Sequence, residues 1–204
     1  MPSLASTPHG DAALRRAVTW VAALNLLYFG VEFSVAQAID SVALYADSID
    51  FLEDAAVNFL ILVALAWSAP RRARVAVLLA ALLLVPSALT LWSAWQKVLL
   101  PAVPHPVALL FAGAGALVVN VVCALLLARF RAQAGSLARA AYLSARNDAL
   151  ANVAIVGAGL VTLAAPSAWP DLIVGLGIFI MNLDAAREVF EAARTEASGG
   201  AAKA

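Results

Sequence analysis

The run Val42-Ala-Leu-Tyr-Ala-Asp-Ser-Ile-Asp-Phe-Leu-Glu-Asp-Ala-Ala-Val-Asn-Phe-Leu-Ile-Leu-Val-Ala-Leu-Ala-Trp-Ser68 is apolar and long enough to cross a bilayer, yet it carries Asp47, Asp50, Glu53 and Asp54. A soluble helix would turn those acids to water. The rest of the chain excludes that: its 204 residues are 64% hydrophobic and 13% charged, more apolar surface than one core of this size can bury. Lipid has to solvate the excess. An ionised carboxylate at the bilayer centre costs about 2.5–3.5 kcal/mol on insertion scales, so this segment needs compensation, and a bound cation supplies it.

Outward from that run, five more stretches of spanning length follow the same pattern: Ala17 to Ala38, Val75 to Ala94, Val107 to Ala128, Leu137 to Ala165 and Asp171 to Phe190. Long continuous apolar runs exclude a closed barrel, whose strands alternate over about ten residues. The expected fold is an all-α membrane protein, a bundle of six transmembrane helices. Pro70-Arg-Arg-Ala-Arg74, Pro101 to Pro106, Arg129 to Arg139 and Pro166-Ser-Ala-Trp-Pro170 punctuate the spans, and Pro86 is expected to kink the third.

Arg15, Arg16, the arginines of 71–74, Arg129, Arg131, Arg139, Arg187, Arg194 and Lys203 fall on one side of this threading, and Lys97 alone falls on the other. The positive-inside rule then places both termini in the cytoplasm, in an inner (plasma) membrane of bacterial type. Residues 1–16 read as a cytoplasmic tail, 17–190 as the transport domain, and 191–204 as a short disordered tail with no room for a soluble domain. Arg15-Arg16 and Ala36-Gln-Ala38 imitate a secretory leader, but Glu32 and the five later spans favour a retained first helix.

Zero net charge offers no basic face for nucleic acid, and the single cysteine, Cys123, allows neither an intrachain disulfide nor a thiolate cluster and reads as a packing residue. Chemistry therefore rests on the buried acids. At about 100° per residue the four acids of span two lie within an arc of about 120°, and Asp50 and Asp54, one turn apart, can clasp one ion. Span five holds Ser144, Arg146, Asn147, Asp148 and Asn152, with Ser144, Asp148 and Asn152 at helical spacing. At about 1.5 Å per residue both sets come near the midplane.

Asn25 and Glu32 share a face of span one and are expected at the same cavity or in an interhelical hydrogen bond. Arg146 is the candidate for a structural ion pair, with Glu53 or Glu32 as partner. Asp171 reads as a helix cap or an outer relay group.

Ser41-Val-Ala-Leu-Tyr-Ala-Asp-Ser-Ile-Asp-Phe-Leu-Glu-Asp54 and Ser144-Ala-Arg-Asn-Asp-Ala-Leu-Ala-Asn152 together resemble the cation diffusion facilitators, six-span exchangers of Zn²⁺ and related metals for protons. The resemblance implies that Asp50, Asp54 and Asp148 take three of four metal-ligand places. Ser144 takes the fourth, where the family usually has histidine. Asp47, Asn147, Asn152, Glu53 and Glu32 are additional ligands or proton-relay groups on this reading.

Both histidines, His9 and His105, lie outside the spans, so the site would be all oxygen. The family's histidine-rich loop and cytoplasmic C-terminal domain have no counterpart in this sequence.

The implied function is export of a divalent metal from the cytoplasm in exchange for protons by alternating access. Zn²⁺ is the first choice, with Co²⁺, Cd²⁺, Mn²⁺ and Fe²⁺ as alternatives because an oxygen site suits harder ions. The metal is cargo and H⁺ the counter-ion; no prosthetic group is expected, and the implied assembly is a homodimer in membrane lipid.

Two other readings stay open. One is a metal-dependent lipid phosphotransferase, disfavoured by the lack of glycine beside the aspartates and of a basic phosphate clamp. The other is an assembly subunit that transports nothing.

Overall fold

In a computed structural model of the chain, residues 8–64, 85, 87–128, 130 and 135–182 are described. They form α1 (Pro8–Ile39), α2 (Val42–Ala64), α3 (87–99), α4 (Pro106–Ala128), α5 (Gly135–Ala164) and α6 (Trp169–Asn182), with no strand among the described residues. This is the all-α membrane bundle expected. The start of span three with Pro86, the end of span six and the 191–204 tail lie outside the described residues.

By length and hydropathy, Ala12–Ile39, Pro106–Ala128 and Ala141–Ala164 are each able to cross a membrane. Span two escapes such a test because its acids lower its hydropathy. Exposure is reversed relative to a soluble protein: Leu27, Phe111 and Leu125 face outward, while Asn25, Glu32, Asp47, Asp54 and Lys97 are buried. Lipid is the solvent that makes this arrangement favourable. Trp92, Trp95 and Trp169 are all exposed near the end of the bundle where α3 finishes and α6 starts, the placement amphipathic rings take at the headgroup level.

Helix α1 begins at Pro8, well before its apolar run, because proline in a first turn sacrifices only an amide that lacks a helical partner anyway. It ends at Asp40, whose φ of 53° is left-handed, and the Ser41 amide closes back on the Ala36 carbonyl at 3.0 Å. Ser41 then caps α2, its Oγ accepting the Leu44 amide at 3.1 Å. The turn at Asp40-Ser41 marks what is called here the turn end of the bundle.

Two other helices hold that turn. Asp171 at the start of α6 accepts Ser41 Oγ at 2.5 Å, the Val42 amide at 2.9 Å and the Ala43 amide at 3.2 Å, so it caps α2 from another helix. The expected cap is therefore tertiary. Lys97 of α3 pairs with Asp171 Oδ2 at 2.9 Å and also donates to the Asp40 carbonyl, while Ser93 Oγ donates to Asp40 Oδ1 at 3.1 Å. Gly175 lets α6 reach this point, since a Cβ there would meet the Val42 carbonyl carbon at 2.6 Å.

Two apolar clusters flank the middle of the bundle. Ala36, Leu44, Ala46, Leu109, Ala112 and Ile155 pack toward the turn end, and Val18, Val21, Cys123, Leu127 and Ala145 toward the other. Cys123 packs there as expected. Asp50 and Asp54 lie between the two.

Candidate metal site

Helices α1 and α2 pack antiparallel about the Asp40-Ser41 turn, so residues at equal chain distances from the Ile39–Asp40 bond come together. Tyr28 meets Phe51 with ring centroids 5.0 Å apart, and Asn25 Nδ2 lies 3.5 Å from Asp54 Oδ2. Helix α5 packs on α2 in the opposite direction: Ser144 Oγ donates to Asp54 Oδ1 at 2.9 Å, and Asn152 Nδ2 to Asp47 Oδ2 at 2.5 Å. Two polar levels result, about two helical turns or ~10 Å apart along α2.

The first level is a cavity of about 140 Å³ lined by Asp50, Glu53, Asp54, Ser144, Asn147, Asp148, Met181 and Asn182. Asp50 and Asp54 are buried, Asp148 is half-buried, and Glu53 and Asn147 reach the exposed rim. Ser144 Oγ stands 3.5 Å from Asp148 Oδ2 as well as beside Asp54, so its one proton serves either carboxylate. The four residues that the sequence singled out, Asp50, Asp54, Ser144 and Asp148, thus line one cavity.

Donors hold those carboxylates apart. Asn182 Nδ2 donates to Asp50, and Asn25 and Ser144 face Asp54. Among the described residues, no three His, Cys, Asp or Glu side chains stand close enough to hold a metal ion in this arrangement.

Asp47, Asn152 and Glu32 do not line this cavity. They form the second level, where Asn120 of α4 donates to Asn152 Oδ1 at 3.0 Å. Arg146 corrects the sequence reading: it is exposed, its guanidinium lies 3.5 Å from Asn147 Oδ1, and the ion pair among the described residues is Lys97–Asp171 instead. The reason is angular, since two residues beyond Ser144 at about 100° each turn the side chain away from the ligand face. The expected Glu53 or Glu32 partnership is not formed.

Sequence reading missed Asn182, Asn120 and Asn58, whose Nδ2 donates to the Asp54 carbonyl at 2.8 Å. Each is an amide in an otherwise apolar run, and that signal was available. His105, exposed, accepts the Ala108 amide at 3.3 Å at the start of α4 and takes no part in the site.

Among known families, the cation efflux transmembrane domain matches residues 18–196. No curated protein matches the chain.

Proposed function

The chain belongs to the cation efflux family, multi-pass membrane transporters of metal cations, and from that footing we propose that it exports a divalent metal from the cytoplasm in exchange for protons. The observation that supports this most is the cavity between α2 and α5, where Asp50, Asp54, Asp148 and Ser144 converge from distant parts of the chain. Oxygen ligands from two helices at one depth are how a bundle gathers a cation.

Binding on this reading replaces donors with cargo. The ion takes the carboxylate oxygens now facing Ser144, Asn25 and Asn182, and Asp148 closes with Asp54 and Asp50 around it. Ser144 contributes a neutral oxygen where family resemblance implies histidine. Zn²⁺ remains the first choice, and Mn²⁺ or Fe²⁺ are the ions an all-oxygen set would favour next. Protons compete for those oxygens, and that competition couples the two fluxes.

The bundle alternates access by opening the turn end, which is the outer face if both termini are cytoplasmic. Lys97, Asp171, Ser93 and the Asp40-Ser41 turn then form the contact that has to part. The working unit is a homodimer formed by the spans, in a bacterial-type inner membrane.

Purified protein in proteoliposomes tests the proposal. Zn²⁺ flux under an imposed pH gradient is expected for the wild type and is expected to vanish in Asp50→Ala/Asp54→Ala. Full flux in the double variant, or none in the wild type with any of the five metals, overturns it.

A further inference from the structure

The second polar level holds two carboxyl groups that the metal cavity does not use. Glu32 and Asp47 lie at equal chain distances either side of the Ile39–Asp40 bond, in the register set by Tyr28–Phe51 and Asn25–Asp54. Both side chains are fully buried, and their carboxyl groups face each other. Asp47 Oδ2 accepts Asn152 Nδ2, but Asp47 Oδ1 and both Glu32 oxygens have no donor. Buried acceptors are nearly always satisfied, and each one left bare costs about 1–3 kcal/mol.

The neighbouring groups do not provide the missing donor. On α1 the Tyr28 hydroxyl is committed to the Ala112 carbonyl at 2.6 Å. Asp50 on α2 and Asp148 on α5 are themselves acids, and α4 contributes Asn120, already bonded to Asn152. Lys97 on α3 is committed to Asp171 of α6 and to Asp40 at the turn end.

A metal fits this level poorly, because the free oxygens come from two residues, fewer than the three protein ligands of even an open zinc site. A hydrogen fits it well. Bound to Glu32, it donates to Asp47 Oδ1 and removes one of the two charges.

We propose that Glu32 and Asp47 share a proton and form a proton site separate from the metal cavity, Asp47 lying about one helical turn from Asp50 and two from Asp54, toward the turn end. Taking up the proton forms one O–H bond on Glu32. Releasing it to water breaks that bond and leaves two facing carboxylates, which repel and loosen α1 from α2. Its role in coupling rests on the transport reading; its charge state does not.

Infrared spectra of the whole protein in lipid nanodiscs read the charge state directly. The carbonyl stretch of a buried protonated carboxylic acid is expected in the Zn²⁺-saturated wild type, where metal has displaced protons from the cavity acids, and is expected to be lost in Zn²⁺-saturated Glu32→Gln, whose amide takes over the donation to Asp47. Persistence of the band in Glu32→Gln overturns the proposal. So does a second equivalent of bound Zn²⁺ that Glu32→Gln removes, which would mark a metal site.

Proteoliposomes then read the role. Glu32→Gln is expected to keep Zn²⁺ exchange without a pH gradient within about twofold and to lose flux driven by the gradient by about tenfold, a separation of ~1.4 kcal/mol in coupling. Equal retention or equal loss of both fluxes overturns it. A wild type that carries no metal sinks the transport reading alone, and the infrared band still decides the proton site.

Discussion

Ser144 Oγ donates to Asp54 Oδ1 at 2.9 Å across ninety residues of sequence, tying α5 to α2 at the acid-lined cavity. The hydroxyl occupies the place where the family resemblance implies an imidazole. Without metal it holds one carboxylate, and on the proposed reading it offers the ion an oxygen where an imidazole would offer nitrogen.

Ser144→His is accordingly expected to raise the affinity for Zn²⁺ relative to Mn²⁺ by about tenfold, ~1.4 kcal/mol, because nitrogen suits the softer ion. Calorimetric titration of both metals checks this. An unchanged ratio would show that residue 144 does not reach the cargo.

Asp54→Asn removes a carboxylate without changing shape. Wild-type protein at a Zn²⁺ concentration one hundred times its dissociation constant should gain about 2.7 kcal/mol of stability. The variant at the same concentration should gain almost none, as read by thermal unfolding in detergent with and without metal.

Lys97→Met leaves Asp171 buried with its charge uncompensated, and breaking a buried pair from one side costs about 3–5 kcal/mol. Lys97→Met/Asp171→Asn should recover part of that loss, since the amide oxygen still accepts from Ser41 Oγ and the Ala43 amide while the Val42 amide loses its acceptor. Unfolding of the two variants side by side separates the charge from the cap. If the single and double variants are equally unstable, the cap is the larger contribution.

Gly175→Ala pushes a methyl group into the Val42 backbone, which cannot swing aside as a side chain can. A loss of folded yield is expected. Gly177→Ala, with open space around the added methyl, is expected to behave as wild type, and comparison by size-exclusion chromatography distinguishes them.

Arg146→Gln should change stability by no more than about 0.5 kcal/mol, as for surface substitutions generally, because the guanidinium is exposed beside Asn147. A large loss would restore the ion pair that the sequence suggested.

Much of this was legible one helix at a time. The apolar runs, the shared face of Asp47, Asp50 and Asp54, and the Ser144-to-Asp148 turn follow from a 3.6-residue period and from the length needed to cross lipid, both local properties. They were enough to single out four residues, Asp50, Asp54, Ser144 and Asp148, that line one cavity.

Tertiary structure alone decided what each buried polar group meets. Asp171 looked like a cap for its own helix, yet it caps α2, because Gly175 allows α6 to lie against the start of that helix. Glu32 and Asp47 looked like outlying members of the metal site, yet antiparallel packing about Asp40-Ser41 sets them facing each other on a level of their own. Periodicity states which face a side chain is on; only the register between helices states what lies opposite, and in a dry interior that neighbour determines what a carboxyl group can bind.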